Sequence, residues 1–339
     1  METSSNPQSL LQRTSFLFVF IILFLTYACY RPANTAAGSL TLLDELDTSQ
    51  ASILTLTTDF DRLLVARDTP AYQAGQLSWT HEGRSYSFDL KVRPRGNYRR
   101  QFCDIPPLKL NFEKSQLIAQ GFQPFDDWKL VLPCSHDAVS DTLLLREYLA
   151  YKIYNRLTDQ SLQARLVKVQ FAAGESPRFA ILLESEQALA SRLQATEMSV
   201  AKNIDKAQYA RVVAFQYFIG NTDWNLSNSH NILLLQGDDG NLPVAVPYDF
   251  DHAGLVNAAY AQPHPQLPIK SVRERLLQWR GSAEDPDLKA AMEEIKTHLP
   301  DIKKLISEFP PLKAADKTIL LDYLQECFKP EASLELQKI

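Results

Sequence analysis

The chain predicts an α+β fold of two lobes, and three observations predict it. From residue 51 to 185, short apolar segments alternate with polar residues at the period of a strand, interrupted by one long helical stretch. From residue 186 to 339, apolar residues recur mainly at helical spacing. Inside that second half, residues 220–254 form a polar loop that runs into an apolar strand, a turn and another strand. Strands first and helices later suit a strand-rich N-lobe followed by a helical C-lobe. The 339 residues, 45% hydrophobic and 22% charged, supply apolar material for both. Residues 1–30 precede the lobes as a signal or anchor segment, and 31–50 as a polar linker.

Each element follows from local pattern. Residues 53–57 alternate and predict a strand, and 59–67 predict a short helix that stops near Pro70. Strands are expected over 77–80 and 85–92, joined by the turn His81-Glu82-Gly83-Arg84. A basic loop follows, Arg93-Pro94-Arg95-Gly96-Asn97-Tyr98-Arg99-Arg100, then a bend at 103–107 and a strand over 108–112. Residues 128–132 predict another strand. Residues 142–157 carry helical spacing with Asp141 as the cap. Strands are expected over 166–171 and 179–183, a helix over 188–194, and a helix over 205–219 whose apolar face leads into the 220–254 motif. Further helices are expected over 272–278, over 288–299 with Pro300 as the stop, and over 315–328. The sequence contains no internal repeat.

The first thirty residues set the compartment. Arg13 is the only charge between Glu2 and Arg31, and residues 16–26 (FLFVFIILFLT) are a solid apolar run of signal-peptide length, short for a spanning helix. Export, or membrane association through the N-terminus, is the expectation. Ala28 before Cys29 offers a lipoprotein signal acylated at Cys29, although Thr26 and Tyr27 fit that pattern poorly. Cysteines pair in an oxidising compartment. Cys103 and Cys134 flank neighbouring strand-like segments and are the expected disulfide, and Cys327, in a terminal helix, is the expected free thiol. The alternative is three reduced, buried thiols. A net charge of −5 gives no basic footprint for nucleic acid.

Chemistry concentrates in residues 220–254. The loop carries Asp223, Asn228 and Asn231; a strand, Ile232-Leu233-Leu234-Leu235, and a second one, Val244-Ala245-Val246, lead to Asp249-Phe250-Asp251. Two strands of a hairpin put Asp223, Asn231, Asp249 and Asp251 within reach of one point. Acids and amides with no local Lys or Arg are what a hard cation such as Mg²⁺ requires. Phosphoryl transfer in kinases needs few parts. A strand lysine holds the nucleotide phosphates, a helix carboxylate orients it, a loop aspartate accepts the hydroxyl proton, and an asparagine and a second aspartate hold the metal. Asp223, then Asn231 before an apolar strand, then Asp249-Phe250 reproduce the order of the last three.

Three runs together, RPRGNYRR…CDIPPLKLNF, LLREYLAYKIYNRL and GNTDWNLSNSHNILLL…PYDFDHAG, resemble the CotH-like spore-coat kinases of the atypical protein kinase-like fold. The last run is also similar to the catalytic segment of HipA-type kinases. The resemblance spans residues 50–260 and rests on the order of the motifs. It implies a two-lobed kinase-like fold, ATP with Mg²⁺ or Mn²⁺ as cofactors, and roles by position. Asp223 is the implied catalytic base, with a turn aspartate as the plain alternative. Asn231 and Asp249 are implied metal ligands. Asn228 stands at the usual kinase spacing but lies mid-loop, so the segment carries a three-residue insertion. Asp251 stands where common kinases have glycine and is either a further ligand or a cap of the Ala253-Gly254 turn.

By the same resemblance, Lys109 in Leu108-Lys109-Leu110 is the implied phosphate-binding lysine, and Lys129 in Trp128-Lys129-Leu130 is its rival with the same local pattern. Glu147 on the long helix is the implied partner of that lysine. Arg95, Gly96, Asn97 and Arg100 form the candidate phosphate loop, because guanidinium forks match phosphate oxygens and glycine lets backbone N–H groups approach. The Gly-x-Gly-x-x-Gly lid of most kinases is absent. Glu184 falls at the hinge position, where a backbone group would meet adenine.

Other catalytic classes lack their residues. There is no Gly-x-Ser-x-Gly and no His-Glu-x-x-His, and the six histidines are scattered, with His230 and His252 flanking the motif as structural neighbours. The expectation is an exported phosphotransferase acting on a hydroxyl of a protein or small molecule. Two other readings stay open: an envelope pseudokinase that binds without turnover, and an AMP transferase on the same fold. No motif names the acceptor.

Overall fold

The computed structural model describes residues 38, 40–46, 51–171 and 176–329. The apolar leader, Cys29 and most of the linker lie outside the described residues. Among the described residues, no helix is long and apolar enough to cross a membrane.

The fold is mixed α/β, with its strands concentrated in the first half. β1 (Ser52–Thr58), β2 (Gln73–His81), β3 (Arg84–Pro94), β4 (Leu108–Phe112) and β5 (Asp127–Val131) pair antiparallel in sequence order. Two later strands, β6 (Ala164–Gln170) and β7 (Arg178–Leu183), complete the sheet: β7 pairs with β5, β6 with β7, and β6 closes on β1 in parallel. The result is a closed seven-stranded barrel, a closure that local alternation does not announce. Strand alternation sends Leu54, Leu56, Phe88, Leu90, Leu108, Leu110, Trp128, Leu130, Val167 and Leu182 into one interior core.

The residues that point outward differ around the barrel. On β5, β6 and β7, Val131, Leu166, Ile181 and Leu183 are buried again, in a second core. The long helix packs over those of β6 and β7. Along β3, β4 and β5 the outward residues are Arg93, Lys109, Asn111, Asp127 and Lys129, none of them fully buried. That polar wall faces the second half of the molecule.

Short helices α1 (Phe60–Val65), α2 (Tyr98–Phe102) and α3 (Lys114–Ala119) decorate the barrel, and α4 (Ala138–Leu157) packs against β6 and β7. After α5 (Glu186–Arg192), a three-stranded sheet forms from β8 (Ala195–Met198), β9 (Ile232–Gly237) and β10 (Val244–Pro247), with α6 (Lys206–Ile219) between β8 and β9. Helices α7 (Pro286–Ser307) and α8 (Ala314–Glu326) follow, α7 packing on both α4 and α6.

Several elements depart from the sequence pattern. α4 begins a turn before residue 142, because the Asp137 side chain accepts the Ser140 N–H at 2.7 Å. Asp141 pairs instead with Arg178 at 2.6 Å. The basic loop closes into α2, too short a segment to show a period. Residues 272–278 form one turn followed by irregular chain, not a helix. There Arg273 donates to the Gly254 carbonyl at 2.9 Å and Arg275 to those of Phe218 and Tyr323, so tertiary bonds fix the chain. α7 runs through Pro300, since Ile302 and Ile306 continue the buried stripe of Leu288, Ala291 and Ile295. Their burial offsets the roughly 3 kcal/mol that an internal proline costs.

Cys103 and Cys134 form a disulfide, and Cys327 is a buried free thiol, its pKa pushed up to about 11 by burial. A disulfide of this kind is compatible with an oxidising, extracellular setting.

Candidate functional site

The site is built where α6 ends. Asp205 caps the helix start, its side chain accepting the Gln208 N–H at 2.7 Å, and Gly220 ends it at φ +66°. A side chain at Gly220 would place Cβ 1.9 Å from the Tyr323 hydroxyl. The loop can therefore turn at this point only with glycine. Asn221, fully buried, next receives structure from both sides: its N–H donates to the Gln216 carbonyl at 2.8 Å, and its side-chain oxygen accepts the Asp223 N–H at 3.0 Å. These bonds fix where Asp223 emerges.

Residues 225–230 then fold back on themselves. Asn225 and His230 exchange both backbone hydrogen bonds at 2.9 Å, which makes the three-residue insertion a small hairpin. It returns Asn231 to Asp223. The Asn231 amide donates to the Asp223 carbonyl at 2.7 Å and to its Oδ2 at 3.1 Å, while His230 Nε2 lies 3.0 Å from Oδ1. Asn228 stays at the exposed hairpin tip and accepts the His230 N–H at 3.1 Å. Beyond Asn231 the strands β9 and β10 pair, with Ile232 opposite Pro247, and the Tyr248 N–H donates to the Asn231 carbonyl at 3.1 Å. That register sets Asp249 beside Asn231.

Asp249 is held from behind. Its N–H donates to the Tyr151 hydroxyl at 2.9 Å, and Phe250 inserts against the rings of Tyr151 and Phe215, with centroids 4.7 and 5.5 Å away. Asn231 and Asp249 both adopt positive φ, +53° and +63°. Asparagine and aspartate enter that region more readily than other side chains, and here the flanking bonds hold them there. Among the described residues, no hydrogen bond or ion pair reaches the Asp249 carboxylate. The Asn231 side-chain oxygen is likewise open. Two oxygen donors of this kind suit Mg²⁺, which binds through one or two carboxylates and completes its octahedron with waters and substrate phosphates. No group of three or more His, Cys, Asp or Glu among the described residues has a metal-holding arrangement.

Opposite this floor lies the polar barrel wall, and between them is a cleft of about 730 Å³. Register puts Arg93, Lys109 and Lys129 in one row across β3, β4 and β5. At the spacing of strands the row spans about 10 Å. Arg95, Gly96, Asn97 and Arg100 line the same cleft at its rim, and Gly96 takes φ +81° with open space around it. Arg100 braces the loop by donating to the Gly96 carbonyl at 2.9 Å and to the Arg67 carbonyl.

Four of the sequence-assigned residues have surroundings that differ from the expectation. The first concerns the lysine. Lys109 reaches sideways to Asp127 at 3.1 Å, whereas Lys129 is the more buried of the two, 14% against 24% exposed, and stands 4.5 Å above the Tyr248 ring in a pair with Glu186. Burial, and then Arg95, hold the Lys129 pKa below the usual lysine range, while Glu186 and Asp249 oppose the shift. Of the two lysines, Lys129 is thus the one whose electrostatic surroundings include Asp249. Sequence contained one signal for it: β5 leads directly into the helix that carries Glu147.

The second correction is the partner of Glu147. It bonds Arg99, not a lysine, with Arg99 Nη1 donating to Oε2 at 3.0 Å. Burial pushes the Glu147 pKa up, Arg99 opposes the shift, and Asp251 and Asp249 add to it. Third, Asp251 does not cap the Ala253-Gly254 turn and is buried at the cleft with one oxygen engaged. Its Oδ2 accepts the Tyr260 hydroxyl at 3.0 Å and faces Arg99 at 3.9 Å. Burial, then Asp249, raise its pKa. Fourth, Glu184 lies away from the cleft. Its N–H already donates to the Gln163 carbonyl at 2.8 Å and its carboxylate grips Arg192 at 2.8 and 2.9 Å, so it has no amide to offer a base. Sequence reasoning missed Arg99 because a basic loop does not reveal which arginine turns inward.

No family model matches the chain, and no curated protein does. Among solved structures, the chain is similar to the crystal structure of a Helicobacter pylori proinflammatory kinase CtkA. The identity is 11% and the TM-score 0.38, over 76% of this chain and 91% of that one. A likeness that loose carries no argument about the site.

Proposed function

We propose that the chain is an ATP- and divalent-cation-dependent phosphotransferase, kinase-like in fold and CotH-like in the order of its parts, acting on a hydroxyl of a protein or small molecule. The observation that carries the reading is the convergence of Asp223, Asn231 and Asp249 on the floor of a cleft roofed by a row of cations. Asp223 is the base. Its oxygens are each steered by one neighbour, His230 and Asn231, and keep lone pairs for a hydroxyl proton. Asn231 and Asp249 would hold Mg²⁺ or Mn²⁺, which when bound offsets the charge of a polyphosphate. Lys129 and Arg95 meet the phosphate oxygens, with Gly96 and Asn97 offering backbone at the rim. The disulfide and the apolar leader support a place outside the cytoplasm.

One observation favours a second reading, nucleotide binding without turnover. Lys129 is paired with Glu186 and Glu147 with Arg99, so the lysine–glutamate pair of an active kinase is not made. Intact-mass spectrometry after incubation with Mg²⁺ and ATP separates the readings. A gain of phosphate on the chain or on an added hydroxyl acceptor supports the phosphotransferase, a gain of AMP supports adenylyl transfer, and a rise in melting temperature with no product supports binding alone. Asp223→Ala and Asp249→Ala are each expected to lower transfer by about 10³-fold while leaving the fold intact. Unchanged transfer in both sinks the assignment.

A further inference from the structure

Arg99 lines the inner end of the cleft and ties it together from a nearly buried position. It belongs to α2, within the candidate phosphate loop, yet it is 8% exposed. Its guanidinium touches three separate pieces of chain. Nη1 donates to Glu147 on α4 at 3.0 Å, Nη2 donates to the Leu132 carbonyl just past β5, and Nη1 lies 3.9 Å from Asp251, two residues after Asp249. The disulfide fastens the same region one step further on. The Cys103 N–H donates to the Arg99 carbonyl at 3.0 Å, and the Ile105 N–H donates to the Cys134 carbonyl at 3.2 Å.

We propose that Arg99 is a positioning residue, which acts through Glu147, Asp251 and the Leu132 carbonyl to hold the loop 95–100 in register above Asp249. The purpose of that register rests on the phosphotransferase reading; the clasp itself rests on geometry alone. A buried ion cluster is poor evidence of added stability, because well-packed apolar side chains do as well or better. What a cluster supplies is direction. A planar fork can satisfy three partners set at fixed angles, whereas the compact ammonium of lysine cannot reach all three at once. Arg99 is also the only cation paired with Glu147 and Asp251 among the described residues, so removing it unbalances both.

The test uses the full chain and two variants, Arg99→Lys and Arg99→Met/Glu147→Met. The first keeps the charge and loses the fork; the second removes the pair without leaving Glu147 uncompensated. Amide hydrogen exchange is read at Arg95, whose N–H donates to the Pro107 carbonyl, and at Cys103, against amides of the β2–β3 ladder as reporters of global opening. Both variants are expected to speed exchange at Arg95 and Cys103 about tenfold with the ladder unchanged, and to weaken Mg²⁺–ATP binding about tenfold. Wild-type exchange at Arg95 and Cys103 in both variants overturns the proposal. So does a rise shared equally by the ladder, which would make Arg99 a plain stabiliser. If the unaltered chain binds no Mg²⁺–ATP, the phosphotransferase reading falls, and the exchange measurement still decides the clasp.

Discussion

The outer wall of the barrel has two halves that were built to opposite ends. On β6 and β7 outward side chains such as Leu166, Ile181 and Leu183 are buried beneath α4, and at the last residue of β5 Val131 is buried too, at the edge of the cleft. On β3, β4 and the body of β5 they are Arg93, Lys109, Asn111, Asp127 and Lys129, of which the three cations line the cleft. The border runs through β5 between Lys129 and Val131, one period apart on the same face. A closed barrel needs only its interior to hold together, so its outside is free to be spent differently along its circumference. One half anchors the helix that carries Glu147 and Tyr151. The other is left to meet a ligand.

The sharpest way to break that comparison is to shorten a buried outward residue and an exposed one in parallel. Ile181→Ala removes methyl groups from the core between barrel and α4 and is expected to cost about 3 kcal/mol of stability. Lys109→Ala is expected to cost under about 0.5 kcal/mol, because its pair with Asp127 is partly exposed. Denaturant titration of both variants measures the gap. Equal losses would mean that the two halves share one structural role.

How much of this was legible in sequence divides along the same border. The cleft half alternates cleanly, so β3 and β4 were readable as strands with one polar face. The helix-covered half is apolar on both faces, as in Ala180-Ile181-Leu182-Leu183, and its partner strands could not be read from it. The parallel closure of β1 on β6 joins residues more than a hundred apart and leaves no local trace. In the site, Asp223, Asn231 and Asp249 were legible because a short hairpin brings them together, and hairpin geometry follows from sequence order. The place of Asn231 beside Asp223, with Asn228 at the hairpin tip, follows from the same order. Lys109 and Lys129 were not separable: each alternates with buried neighbours, and only Tyr248, Glu186 and Asp249, arriving from across the cleft, distinguish them. The Arg99–Glu147 pair spans 48 positions and two different elements, beyond the range of any period.

Within the cleft half, the two lysines can be set against each other. Lys129→Met is expected to weaken Mg²⁺–ATP binding about tenfold, near 1.4 kcal/mol, since Lys129 is the less exposed cation and the one that interacts with Asp249. Lys109→Met is expected to weaken it no more than about threefold, because Asp127 already absorbs that charge. Ligand-dependent shifts in melting temperature give both affinities. The reverse order would return the phosphate role to Lys109 and would move the nucleotide toward the β3 side of the wall.

The smallest effect belongs to the loop that joins β3 to β4 at the mouth of the cleft. Gly96 holds φ +81°, a conformation that glycine adopts freely and alanine does not, and no atom lies within 4 Å of where its Cβ would stand. Gly96→Ala therefore carries backbone strain without a clash. It is expected to cost about 1 kcal/mol, read as a small fall in melting temperature, with the disulfide and the Arg99 contacts unaffected. If the loop matters only as a connection, nucleotide affinity follows that stability change and nothing more. If its backbone N–H groups meet phosphate, affinity falls further than stability does, because relieving the strain at Gly96 turns those groups away from Arg95 and the cation row. A Gly96→Ala variant with unchanged affinity would leave the cation row as the anion-binding element and strip the rim of that role.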